Sequence, residues 1–150
     1  MVELLVTVAI ATILTTIAVP SFSGLIANQR AKTAASELFA SLLQARSDAI
    51  ALNANVTVSP LAGGWYLGGW QILNAANNAV LETHGAVAGV TITASPPGSI
   101  VTYRPSGRVV TNSTATTSIL VTTTPGSTTN YQCISLNLSG RPSQQAVNAC

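Results

Sequence analysis

Charge is scarce in this chain. Its 150 residues include four Asp or Glu, six Lys or Arg and one His. Charged residues make up 7%, against about 25% in an ordinary soluble domain. Four acids and one His leave little material for acid–base catalysis or a metal site. No G-x-S-x-G elbow and no phosphate-binding P-loop occurs. A net charge of +2 is too small to imply a polyanion partner by itself. The residues thus point to no catalytic group, metal, cofactor or small-molecule substrate. Disorder is excluded from the other side, since 47% of residues are apolar and the mean hydropathy is +0.44. Polarity comes mainly from Ser and Thr, and the length suits one domain.

The few charges are unevenly placed. Residues 1–27 hold no Lys or Arg and a single acid, Glu3. The bases come later, at Arg30, Lys32, Arg46, Arg104, Arg108 and Arg141. Leu4–Val19 is a charge-free run of 16 residues. As a helix it covers about 24 Å, slightly short of a hydrocarbon core of about 30 Å. Phe22, Leu25 and Ile26 can extend it. The acid at Glu3 argues against a secretory signal, which wants a basic start. Glu3 has two readings: a buried carboxylate that needs a partner, or an exposed acid favoured by the helix dipole. Pro20 removes a helical hydrogen bond and predicts a kink near residues 16–20.

Beyond Asn28 a stripe of Ala31, Ala35, Leu38, Leu42, Ala45, Ala49 and Leu52 recurs at steps of three and four. That is one face of an α-helix, and its alanines allow close packing on a sheet. The simplest account is one long, bent helix from residue 1 to about 53.

The helical period then disappears. Short β-type runs follow at Val56–Ser59, Trp70–Leu73, Val87–Thr93, Ile100–Tyr103, Ile119–Thr123 and Cys133–Leu138. Gly, Pro and Asn separate them, which predicts antiparallel strands. Val90, Ile92 and Ala94 alternate with hydroxyl residues, as in a half-buried strand. Thr111–Thr117 and Thr122–Thr129 read as loop or edge. The Gly-rich stretch from Gly63 to Trp70 reads as a packed hairpin, with an aromatic binding surface as the alternative.

Cys133 and Cys150 are the only cysteines and are best read as a disulfide closing the C-terminus, with two free thiols as the alternative. Glu82 and His84 would share a face in a strand and read as a surface pair rather than a metal fragment. Arg104, Arg108 and Arg141 each lie in a turn with Gly or Pro. They are either solvated turn residues or a small phosphate-binding patch. Asn112-Ser113-Thr114 fits a glycosylation pattern that is common by chance in such a chain.

The string Met-Val-Glu-Leu-Leu-Val-Thr-Val-Ala-Ile, followed by Ile17-Ala18-Val19-Pro20-Ser21-Phe22, resembles the anchor of type IV pilins and type II secretion pseudopilins. Leu43–Ile50, Gly69–Ile72, Tyr103–Arg108 and Ile134–Arg141 resemble the motifs of the GspH/FimT subgroup. The resemblance implies an α+β, pilin-like fold: a long bent N-terminal helix packed on a small antiparallel β domain of two sheets. It implies three parts: residues 1–27 for membrane insertion and assembly, 28–53 for the amphipathic half of the helix, and 54–150 for a periplasmic β domain. It assigns Glu3 to subunit assembly, pairing with the amino terminus of a neighbour.

The family's basic leader, its cleavage Gly and the following Phe-Thr are not in the sequence. Either the numbering begins two residues inside the mature protein or the start is truncated. Prepilin peptidase, an implied partner, therefore acts on no residue present, and N-methylation has no position here. FimT-like relatives are linked to DNA capture through Gly-Arg-x-Arg. This chain has Gly140-Arg141-Pro142-Ser143, so only Arg141 carries over. The expected role is a structural minor subunit of a type II secretion or type IV pilus filament, held in the bacterial inner membrane by a single span before assembly. Its implied partners are other pilin or pseudopilin subunits. The alternatives are a DNA-binding minor pilin for DNA uptake and a major filament subunit; an enzyme is the remotest reading.

Overall fold

A computed structural model describes residues 1–67, 69–110, 117–123, 130–147 and 150, with the backbone alone at 15–23 and 130. The charge-free run and the alanine stripe form one element, the 50-residue helix α1 (Val2–Ala51). At 1.5 Å per residue it is about 75 Å long. It continues through Pro20. The kink expected there falls on residues 15–23, whose side chains lie outside the described residues.

The two halves of α1 differ in burial. Leu4, Leu5, Val8, Ile10, Ile13, Leu14, Leu25 and Ile26 stand exposed, whereas Ala31, Ala35, Leu38, Leu42, Ala45 and Ala49 are fully buried. Ala27, Ala34 and Ser41 join the buried face. Leu52, the last residue of the expected stripe, is exposed. The helix has ended at Ala51, and Asn53 takes a left-handed conformation that turns the chain away.

Two antiparallel sheets cover the second half of α1. The first has the order β3-β2-β1-β5-β6, from β1 (Val56–Pro60), β2 (Trp70–Asn74), β3 (Ala79–His84), β5 (Val101–Tyr103) and β6 (Val109–Val110). The second has the order β4-β7-β8-β9, from β4 (Val90–Ser95), β7 (Thr117–Thr123), β8 (Asn130–Leu136) and β9 (Pro142–Gln145). Val56, Val58, Trp70, Ile72, Val101 and Tyr103 from one sheet meet Ile92, Ile119, Val121, Ile134 and Leu136 from the other in a single core with α1.

The expected hairpin at 63–70 is present, since Pro60 pairs with Trp70 across the connection. A single 3-10 turn, Trp65–Leu67, lies within it. Trp65 is buried and its Nε1 donates to the Ser99 carbonyl at 2.7 Å. Trp70 is also buried, with Nε1 donating to Ser41 Oγ on α1 at 2.9 Å. Each indole therefore buries its ring and keeps a hydrogen bond.

Several strands depart from the expectation. β3 is exposed along both faces, so it has no alternation to read; pairing with β2 forms it. β9 is a polar segment held by pairing with β8. Thr122 and Thr123, read both as the end of the Ile119–Thr123 run and as the start of a loop or edge, belong to β7, a central strand between β4 and β8. There Thr117, Ile119, Val121 and Thr123 alternate inward, so threonine serves as a core-facing strand residue. β4 begins at Val90 rather than Val87, and β8 ends at Leu136, before a turn at 137–140. The Asn112–Thr114 pattern lies outside the described residues.

Candidate functional site

Glu3 stands exposed in the first turn of α1. The described apolar residues Leu4, Leu5, Val8, Ile10 and Leu14, and later Leu25 and Ile26, share that exposure. Apolar surface on this scale marks an interaction region rather than a solvated one. Among the described residues no helix is long and apolar enough to cross a membrane. The side chains at 15–23, inside the apolar run, are not among those residues.

The turn of Arg104 and Arg108 is held beside Arg46, which lies about 65 Å along α1 from Glu3. The turn between β5 and β6 closes with Arg104 N donating to Arg108 O and Gly107 N donating to Arg104 O, both at 2.8 Å. It presents Arg104 and Arg108 on one open cleft of about 320 Å³, lined also by Ser106, Val109 and Leu138. Both arginines and Arg141 are exposed. Arg141 is outside that lining, but its neighbour Gly140 packs directly on Gly107. The structure thus brings Arg104 and Arg108 together and sets the turn of Arg141 against theirs.

Arg46 holds this arrangement to α1. It is half-buried, and its Nε donates to the Gly107 carbonyl at 2.9 Å. Sequence reasoning did not single it out. The available signal was its place beside Ala45, an arginine on the flank of a buried stripe. Arg46 also acts on Tyr103. Burial pushes the Tyr103 phenol well above its ordinary range, and the Arg46 charge opposes that shift in part. Tyr103 Oη has no hydrogen-bond partner among the described residues.

Cys133 and Cys150 form a disulfide. Glu82 and His84 share a face of β3 and pair at 3.0 Å between Oε1 and Nε2. His84 also stacks on Trp70, with centroids 4.9 Å apart. Among the described residues no group of three or more His, Cys, Asp or Glu could hold a metal ion.

Two crystal structures of the type IV minor pilin FimU from Pseudomonas aeruginosa PAO1 share this fold. They match at TM-scores of 0.66 and 0.65 and identities of 22% and 21%. Each match covers 79% of this chain, and 93% and 98% of the respective FimU chains. No curated protein matches. A family model, described as type II transport protein GspH, matches residues 34–140, more than two thirds of the chain. That match begins in the buried half of α1 and ends at Gly140 in the β8–β9 turn, and on it the chain belongs to the GspH family.

Proposed function

We propose that this chain is a structural, non-enzymatic minor subunit of a type II secretion or type IV pilus filament. One observation carries the reading. A single helix is buried under two sheets from Ala27 onward and, among the described residues, leaves the preceding large apolar side chains exposed. Such a helix needs lipid or other apolar helices around it. In this reading residues 1–27 sit in the inner membrane and then bundle with neighbouring subunits. Residues 28–53 tie that segment to the periplasmic domain at 54–150. Prepilin peptidase acts on the leader before assembly. Glu3 sets the register by meeting the amino terminus of a neighbour, which neutralises both charges in a low-dielectric bundle.

Incorporation of a Glu3→Ala variant into filaments tests this. The expected result is a loss of at least about tenfold, because the neighbour's buried charge is left unpaired. Incorporation at the wild-type level overturns the role of Glu3.

The shared cleft of Arg104 and Arg108 favours a second reading, in which the same subunit contacts DNA. Arginines there would hold phosphates without reading bases. An Arg108→Ala/Arg141→Ala double variant should weaken duplex binding equally across sequences and flatten its salt dependence. Unchanged DNA uptake in a strain carrying that variant counts against this role.

A further inference from the structure

We infer that Tyr66 and Leu67 form an interfacial foot that rests in the headgroup layer of the bilayer holding α1. It would fix how the β domain sits on the membrane before assembly. The inference rests on the reading that residues 1–27 lie in a membrane.

Both side chains are large and exposed, Tyr66 by 72% and Leu67 by 54%. They belong to a turn whose orientation is set by its first residue, since Trp65 is buried and bonded to Ser99. A single exposed leucine would be unremarkable. Here Tyr66 and Leu67 form one wall of an open groove of about 470 Å³, with Val87, Ala88 and Gly89 on the other side. None of the groove's lining residues is charged.

The place of the groove in the fold identifies its occupant. Arg30 Nη1 donates to the Ala88 carbonyl, so the groove lies beside the stretch of α1 that enters the domain. Ile26, the last exposed apolar residue before that stretch, precedes Arg30 by one turn, about 6 Å. From Leu4 to Ile26 the helix rises about 33 Å, close to the hydrocarbon thickness of about 30 Å. With that segment inserted, Ile26 reaches the edge of the hydrocarbon and Arg30 the headgroups. Tyr66 and Leu67 come to the same level.

A tyrosine suits that boundary, with an apolar ring and a hydroxyl that stays hydrated. Leu67 would enter the acyl edge, and Arg30 and Lys32 would face lipid phosphates. The β2–β3 hairpin shows the opposite end of the domain. Ala75 N donates to the Asn55 carbonyl, just past the C-terminal end of α1, and Val80 stands exposed nearby.

The test uses the full chain, with its disulfide intact, in vesicles of phosphatidylcholine and phosphatidylglycerol. An environment-sensitive NBD label is placed through Ile10→Cys, Leu67→Cys or Val80→Cys, and quenching by doxyl-labelled lipid is read. Tyr66→Cys supplies a second label site on the foot should Leu67→Cys disturb the turn. The expected result is strong quenching at position 10 and quenching at position 67 several-fold above that at position 80. Quenching at 10 with position 67 no different from 80 overturns the foot and leaves the membrane reading standing. Absence of quenching at 10 overturns the membrane reading itself, and the foot with it. A blue shift at 67 that vanishes as the protein is diluted in lipid assigns the groove to a neighbouring subunit and also overturns the proposal.

Discussion

Gly140 packs so closely on Gly107 that a Cβ at position 140 would overlap the Gly107 carbonyl oxygen. That carbonyl also accepts the Arg46 hydrogen bond. A turn from each sheet and one side chain of the helix thus converge on one peptide group.

Gly140→Ala should be costly. Gly140 has φ of +78°, where any side chain is strained, and the overlap is with backbone that cannot rotate away. A loss of about 2 kcal/mol or more is expected, lowering the melting temperature by roughly 4–8 °C in a chain of this size. Thermal unfolding by circular dichroism checks it, and a melting temperature within a degree of the parent contradicts the close approach.

Ser41→Ala should destabilise through a group it does not alter. It leaves the buried Trp70 Nε1–H without its acceptor. An unsatisfied buried donor costs about 1–3 kcal/mol. Urea unfolding monitored by tryptophan fluorescence measures this. Ser36→Ala, on the exposed side of α1, should change little.

Tyr103 should make the fold alkali-sensitive. Its folded phenol keeps its proton to higher pH than the unfolded one, whose ordinary value is near 10. Its contribution is therefore fully present below about pH 10 and is lost as pH rises beyond that, by up to about 1.4 kcal/mol per pH unit. Tyr103→Phe should cost little at pH 7, because Oη has no hydrogen-bond partner among the described residues, and should reduce the alkaline loss. Denaturation midpoints at pH 7, 10 and 11 compare the two proteins. Parallel pH profiles contradict the assignment.

Reduction of Cys133–Cys150 should release the C-terminal segment that includes β9. The bond spans 17 positions, and opening such a loop costs roughly 3 kcal/mol in the chain-entropy model. Unfolding with and without reductant should show that difference, and amide exchange in β9 should rise the most.

The long helix was legible because its signals are local. An absence of charge marks its first half, and a three-four spacing marks its second. Ala31, Ala35, Leu38, Leu42, Ala45 and Ala49 are all buried as that spacing predicts. β4 was legible through the alternation of Val90, Ile92 and Ala94. β3 and β9 were not, since neither carries an apolar period; their ladders come from β2 and β8. The three candidate arginines could be named from the sequence, where a shared phosphate-binding patch was one of their two readings. The offset of Arg141 from the cleft and the role of Arg46 could not be read there.

By itself the sequence determined which part of the chain is without charge, which helix face turns inward and where turns interrupt the strands. Each of these follows from side-chain polarity and backbone preference within a few residues. Tertiary structure alone decided the order of strands within the two sheets, that threonines line a central strand, and that Gly107, Gly140 and Arg46 meet. Those outcomes depend on backbone pairing and close approach between segments distant in the chain, where geometry selects among residues of similar polarity.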